Sequence, residues 1–415
     1  MRRRVVITGM GAITPVGHSV DETWENIRNG VVGIAPIESV NTENHQVKVA
    51  GEVKNFNPTI IMDRMEARRT ARFTQFAIHA ALEAFEQSGI QMDSEDALRC
   101  GVNIGSGIGA LKVIEEEYTK GQKRGFDRIS PLFVPMTIVN MAAGAVAIRL
   151  GFQGSCTCSV TACASGTNAI GEAFRAIRDG YQDVMATGGT EACISDLGLG
   201  GFTSMRALTT ESNPLRASIP FDKERGGFVL GEGAGVLILE EYEHAKARGA
   251  EILGEIVGYG ASCDAHHMTA PLEDGSGAAN CMKLAMADAE VVPEQVGYIN
   301  AHGTGTPLND RCETAAIKLA FGDAAQKVVV SSTKSMTGHL LGGSGGIEAA
   351  ITVKMLQDQF APPTAGYEVP DKDCDLDICP NEGKNVETDY AMSNSLGFGG
   401  HNATLIFKRI QSPYI

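Results

Sequence analysis

The order of elements in the second part of this chain echoes that of the first, and such a duplication limits the available folds more than any other feature. The apolar run Val5 to Thr8 leads into Gly9 and Gly11, and the run Glu255 to Tyr259 leads into Gly258 and Gly260. Each reads as a strand followed by a glycine turn. Further on, GFVLGEGAGVLILEE (227 to 241) is paralleled by GFGGHNATLIFK (397 to 408), a glycine loop followed by an apolar run suited to a buried strand. No low-complexity linker intervenes, so two halves, 1–250 and 251–415, are expected to meet after the charged stretch EEYEHAKARGAE. Ile170, Phe174 and Ile177 recur at helical spacing between these markers. Strands and helices therefore alternate, as in α/β proteins.

With 415 residues, of which 43% are hydrophobic, the chain can bury a large core. A net charge of -15 without a basic tail argues against a nucleic-acid binder, since phosphate contact needs positive surface. The start, MRRRVVITG, has a basic opening, but its apolar run stops at Gly9 and no stretch of 18 apolar residues follows anywhere. No membrane span and a cytosolic location are expected. The ten cysteines are scattered rather than densely spaced, which reads as reduced thiols.

The segment SCTCSVTACASGTNAIGEAFRAI leads through small and β-branched residues to Cys163, where a helical pattern starts at once. A thiol at a helix N-terminus has its thiolate favoured by the dipole and by unpaired N–H groups. Alone this is weak, because a cysteine among small apolar residues is usually a plain core residue. Two histidines supply partners. In QVGYINAHGTGTPLND a strand ends at His302, and Asp310 and Glu313 beyond it have the spacing of a helix N-cap pair. In KVVVSSTKSMTGHLLGGSGG a second strand runs into Lys334 and then His339 between Gly338 and Gly342. A lone loop histidine is more often a surface group than a catalyst. Two at strand ends, where α/β sites collect, say more.

TACASG, NAHGTGTP, SSTKSMTGHLLGG and NSLGFGG, in this order and separation, resemble the signature segments of the β-ketoacyl-acyl carrier protein synthases. The likeness runs from VVITGMGAITPVG to the last strand. It implies the thiolase-like fold, a duplicated five-layer α/β/α/β/α sandwich with two mixed sheets, built as a homodimer. The first half would carry the nucleophile and the second both histidines and the lysine. SSTKSMTGHLLG and the chain length look more like the elongating type II enzymes than type I. A polyketide ketosynthase with the same chemistry remains an alternative.

The resemblance implies that Cys163 takes an acyl group from acyl carrier protein as a thioester, with backbone N–H groups of Cys163 and Phe398 meeting the oxyanion. His302 and His339 would then stabilise the enolate formed as malonyl thioester loses carbon dioxide. Lys334 would orient the histidine side, and Thr304, Thr306 and Thr269 would bind the pantetheine arm. No cofactor is implied beyond the phosphopantetheine that carries the substrates. Resembling thiolases use a second cysteine as carbon base in the C-terminal glycine loop, and SLGFGGHN has none. Starter-type synthases have Cys-His-Asn, whereas this chain has His339 in third place. The first difference fits a carbanion made by decarboxylation, and the second argues for elongation.

By the same resemblance Ile108, Phe133, Phe202 and Phe398 line or gate an acyl tunnel, although Phe133 and Phe202 could equally be ordinary core. Acyl carrier proteins are acidic, so docking on this acidic chain needs a local basic patch. Arg64, Arg68 and Arg72, four apart on one helical face, with Arg69 beside them and Arg206 joining, would provide it. Asn300, Glu348, Ser393 and Asn394 match positions where some relatives hold a structural monovalent cation. Cys156 and Cys158 have no second pair at zinc spacing, so no zinc is assigned. His266 and His267 fall in an entrance loop and are as easily plain surface groups. His401 stands where many relatives carry Thr.

Two rival functions come from other classes. A dinucleotide-binding oxidoreductase is suggested by Gly9-x-Gly11 after a strand, but Thr14 and Pro15 occupy the place of the required third glycine. A silent chain-length-factor-like subunit is opposed by the presence of Cys163.

Overall fold

A computed structural model describes residues 2–410; Met1 and 411–415, the outermost residues of the two expected halves, lie outside the described residues. Side chains alternate between the faces of a strand, and here both faces are apolar. In Gly233–Glu241, Val236 and Ile238 enter one core while Leu237 and Leu239 enter another. In His401–Lys408, Leu405 and Phe407 share that second core and Ile406 enters a third. Strands of this kind need cover on both sides.

The strands are β1 (Val5–Ile13), β2 (Cys100–Gly105), β3 (Cys156–Thr157), β4 (Val184–Glu191) and β5 (Gly233–Glu241), then β6 (Gly254–Cys263), β7 (Val296–Asn300), β8 (Val329–Ser331), β9 (Tyr390–Gly397) and β10 (His401–Lys408). The first set is ordered β3-β2-β4-β5-β1 and the second β8-β7-β9-β10-β6, so each strand has a counterpart five places on. Both sets are mixed: β4 pairs in parallel with β2 and antiparallel to β5, as β9 does with β7 and β10. β1 and β6 meet edge to edge through three antiparallel pairs, starting at Val5 with Ile256. The two expected sheets are thereby joined into one ladder of ten strands.

Helices α1 (Arg72–Ser88), α2 (Met141–Leu150) and α3 (Ser165–Arg178) are echoed by α4 (Ser276–Ala289), α5 (Pro307–Phe321) and α6 (Ser344–Asp358). α1 and α2 cover the outer face of the first strand set, and α4 and α5 that of the second. α3 and α6 lie between the sets, with Ile170, Phe174 and Ile177 packed against Ile347, Ile351 and Met355. This gives five layers.

The glycine pairs expected to turn the chain instead lie inside strands. A methyl at Gly9 or Gly11 would come within 1.9 Å of the Ala84 or Ala80 carbonyl of α1. At Gly258 or Gly260 it would come within 2.4 or 2.1 Å of the Ala285 or Cys281 carbonyl of α4. These residues are windows through which a helix backbone approaches the sheet. The same geometry removes the dinucleotide-binding reading, because no phosphate loop forms there. Among the described residues no helix is long and apolar enough to cross a membrane.

Candidate active site

α3 and α6 start at the same end of the middle layer, and the loops that lead into them form the site. After β3 the chain runs irregularly to a short 3-10 turn, Ala162–Ala164, which feeds α3. Ala162 adopts φ 50°, a left-handed conformation costly for a residue with a side chain. Ser165 holds that turn: its Oγ accepts the Thr161 N–H at 2.9 Å and donates to the Ala162 carbonyl at 2.6 Å. Cys163 is left at 8% exposure, beside the backbone N–H groups of Cys163 and Phe398, which favour its thiolate. Phe398 reaches it from the tight turn between β9 and β10, where Gly399 and Gly400 take φ 89° and 76°.

Burial pushes the Cys163 thiol up to about 12, with Lys334 and the two N–H groups opposing and Glu191 adding to the rise. The expectation of a favoured thiolate at a helix tip is therefore corrected for the resting protein. Exclusion of water outweighs the helix end, and the proton must leave as the sulfur attacks.

His302 lies two residues beyond β7, and His339 lies in the loop before α6. They are 3% and 1% exposed, with ring centroids 5.2 Å apart at 83°. Burial, reinforced by the charge of Lys334, holds both well below the usual histidine range, so both are neutral at pH 7. His302 Nδ1 and His339 Nε2 are buried without a protein partner. Neutral rings with nitrogens to offer can donate to, or accept from, a substrate oxygen. The sulfur shares an apolar cluster with Phe228 and Leu341, and Phe228 packs edge-on against His339 at 5.2 Å.

Carboxylates hold this arrangement. The expected N-cap pair does not cap: Thr306 Oγ1 caps α5, while Asp310 and Glu313 lie inside it and reach back. Asp310 accepts the N–H groups of Phe221 and Gly305, and Glu313 those of His302 and Gly303 at 2.8 and 2.7 Å. Lys334, 1% exposed, pairs with Glu348 on α6. Burial raises Glu348 to about 7 against the pull of that lysine. Glu191, at the end of β4, gathers the N–H groups of Gly107, Ile108, Gly109 and Gly342 and the Ser106 hydroxyl. It thus ties the Ile108 loop to the chain leading into α6. The roles of Glu191, Phe228 and Ser344, whose Oγ lies 3.0 Å from His339 Nδ1, were missed from sequence. An acid closing the apolar run of β4, and a serine where a helix pattern begins, were the available signals.

Ile108 and Phe202 pack on the cluster that contains Cys163, and Phe202 also lies edge-on to Phe228 at 5.4 Å. Phe133 is not brought there; it sits in the short helix Phe133–Thr137 with exposed Val134 beside it. Thr304 and Thr306 join hydroxyls at 3.0 Å at the mouth of the histidine loop. Thr269 is exposed, its N–H donating to His267 Nδ1 at 3.1 Å, and His266 is exposed as well. His401 pairs with Cys263 across the β10–β6 ladder.

The arginines do not share one helical face. A four-residue helix, Arg64–Ala67, ends before α1 begins at Arg72. Arg72, itself 41% exposed, binds the buried Glu232 through two nitrogens at 2.9 and 2.6 Å and the Val53 carbonyl at 2.9 Å, so its guanidinium is already engaged. Arg64, Arg68, Arg69 and Arg206 are exposed, and among the described residues none has a carboxylate in ion-pairing range. Asn300 and Ser393 are partners across the β7–β9 ladder. Both side-chain atoms of Asn300, Ser393 Oγ and Glu348 Oε2 are buried without partners, whereas Asn394 is engaged by Thr404 and Met282.

Residues 2–245 match the family described as "Beta-ketoacyl synthase, N-terminal domain", and residues 253–368 its C-terminal domain. The chain belongs to the β-ketoacyl synthase family. It is 51% identical over 411 residues to 3-oxoacyl-[acyl-carrier-protein] synthase 2 of Synechocystis sp., with 99% of each chain covered. It is also 51% identical to the enzyme of that name from Staphylococcus aureus, again over 99% of each. Among solved structures, a β-ketoacyl synthase from Burkholderia phymatum superposes with TM-score 0.90 at 33% identity, covering 99% of this chain and 100% of that one. A type II polyketide ketosynthase, solved in complex with its acyl carrier protein, gives TM-score 0.92 at 36% identity over 99% and 100%. As a β-ketoacyl synthase the protein is a condensing acyltransferase of thiolase-like α/β fold.

Proposed function

We propose that the protein is an elongating type II β-ketoacyl-acyl carrier protein synthase, which extends fatty acyl chains by two carbons. The observation that carries this reading is the pair of buried, neutral imidazoles with free nitrogens beside a thiol flanked by two backbone N–H donors. Cys163 attacks the acyl thioester delivered by acyl carrier protein. The oxyanion takes the N–H groups of Cys163 and Phe398, and the carrier thiol leaves with the proton. Malonyl carrier protein then enters, and His302 and His339 donate to its thioester carbonyl. Carbon dioxide departs, and the enolate they stabilise attacks the acyl carbonyl on Cys163. Expelled thiolate regains a proton and the β-ketoacyl product leaves on the carrier. Lys334, paired with Glu348, adds its charge to the burial that keeps both rings uncharged. Ile108, Phe202 and Phe398 bound the acyl site, and Thr304, Thr306 and Thr269 face the pantetheine.

The same reading divides the chain at residue 250 into a nucleophile half and a histidine half. Docking of the acidic carrier falls to Arg64, Arg68, Arg69 and Arg206. A homodimer is supported by exposed Ile114, Tyr118, Val134, Ile138, Ile148 and Val160 and by edge strand β3, which is paired on one side only. A cytoplasmic setting is supported by ten cysteines that are all free thiols. The unpartnered oxygens of Asn300, Glu348 and Ser393 suit a structural monovalent cation. Carbon dioxide release from malonyl carrier protein tests the mechanism. Cys163→Ala should abolish acyl transfer, whereas His302→Ala or His339→Ala should leave acylation partly intact and cripple decarboxylation. Equal loss of both half-reactions in all three variants contradicts this division of labour.

A further inference from the structure

The two turns that lead into the middle layer are copies of one another. Ala162–Ala164 precedes α3 as Leu341–Gly343 precedes α6. Both turns open on a residue with positive φ, 50° at Ala162 and 47° at Leu341, and both helices open on a serine. Each serine accepts the N–H of the residue four before it, Thr161 to Ser165 at 2.9 Å and Leu340 to Ser344 at 3.0 Å. The copies differ in where the remaining hydroxyl proton goes. Ser165 donates it to the Ala162 carbonyl at 2.6 Å. Ser344 Oγ instead lies 3.0 Å from His339 Nδ1, and among the described residues no carbonyl takes that proton.

We propose that Ser344 is a positioning residue that fixes His339 as the Nε2–H tautomer by donating its hydroxyl proton to Nδ1. The opposite arrangement, with Nδ1–H donating to the serine, leaves a buried hydroxyl proton with no acceptor. It also turns His339 Nε2, buried and unpartnered, into a lone pair that cannot donate to a substrate oxygen. The rest of the ring's setting is fixed independently: the His339 N–H is held by the Val229 carbonyl at 2.7 Å, and Phe228 lies against the ring edge. Duplication thus supplied one serine that closes the nucleophile turn and a second, in the same backbone setting, that sets a proton on the imidazole.

This inference rests on the donor role of His339 proposed above, so its test has two separable parts. In the intact enzyme labelled with 15N-histidine, the His339 signals, identified by their loss in His339→Ala, should show a protonated Nε2 and an acceptor Nδ1. Ser344→Ala should mix or invert the tautomers, and Ser344→Thr should keep them. Decarboxylation of malonyl carrier protein should fall about 5- to 10-fold in Ser344→Ala, the weight of one neutral hydrogen bond. Acylation of Cys163 should change less than about twofold, and Ser344→Thr should recover the decarboxylation rate. A wild-type His339 protonated on Nδ1 overturns the proposal, as do equal losses in both half-reactions or no loss in either. Should Ser344→Ala fail to fold, the wild-type spectrum and Ser344→Thr still decide. A wild-type enzyme that releases no carbon dioxide refutes the proposed function instead, and leaves the spectrum to report on Ser344.

Discussion

Gly397 ends β9 against the turn that carries Cys163, and the substitution Gly397→Ala probes the oxyanion site through space alone. Its φ is not in the left-handed region, so alanine can adopt the backbone. The added methyl would lie 2.7 Å from the Thr161 carbonyl oxygen and 3.3 Å from the backbone nitrogens of Cys163 and Ala164. Carbon rests no closer than about 3.3 Å to such an oxygen, so the two surfaces must part by about 0.6 Å. The Cys163 nitrogen borders that contact and Phe398 directly follows Gly397 in the chain, so both donors lie next to it. Removing one oxyanion donor outright slows turnover by roughly 10²- to 10³-fold, and a displacement weakens it less. We expect acylation of Cys163 to slow about 10- to 100-fold, equivalent to about 1.4–2.7 kcal/mol of barrier. Overpacking should lower stability by about 1–3 kcal/mol without unfolding the protein. Single-turnover transfer from an acyl carrier thioester, with denaturant unfolding in parallel, measures both. Malonyl decarboxylation should suffer less. Acylation within twofold of wild type would refute the assignment of these two N–H groups.

Glu313 is raised to about 7 by burial from a usual 4.5, so in that interval the folded protein holds a proton the unfolded chain has released. Stability therefore falls as pH rises from about 4.5 to 7, by up to about 3 kcal/mol, and levels off above. Glu313→Gln should show a shallower fall between pH 5 and 7.5 in urea titrations, the remaining slope coming from Glu83 and Glu348, which burial also raises to about 7; parallel curves for the two proteins contradict the account. Arg68→Glu should raise KM for acyl carrier protein, most at low salt, with stability within about 0.5 kcal/mol. Arg72→Ala should instead lower stability by about 1–2 kcal/mol through the loss of the Glu232 contact, with KM little changed. The reverse pattern would move the docking surface elsewhere.

Much of the site could be read in the sequence because its chemistry sits in short loops whose residue types are dictated locally. Cys163, His302, Lys334 and His339 each stand beside the glycines and small residues that their turns require. What could not be read depends on partners far away in the chain. Gly9 and Gly11 look the same whether the chain turns there or a helix presses on it, and only the Ala80 and Ala84 carbonyls distinguish the two. Arg72 looks like a member of a surface stripe until Glu232, 160 residues on, takes it. The pull of a helix end on Cys163 was foreseeable, but the burial that outweighs it was not. For Asp310 and Glu313 the capping pattern was present in the letters. Thr306 started the helix earlier and freed both carboxylates to hold the histidine loop.

The claim on which the mechanism depends is that the sulfur of Cys163 carries the growing chain. Wild-type protein mixed with an acyl carrier thioester, without malonyl substrate, can be quenched and weighed intact, then digested and mapped. The account predicts one acyl mass per chain, located on the peptide containing Cys163, and its disappearance when malonyl carrier protein is added. An acyl group on another residue, or condensation that proceeds in Cys163→Ala, would contradict it.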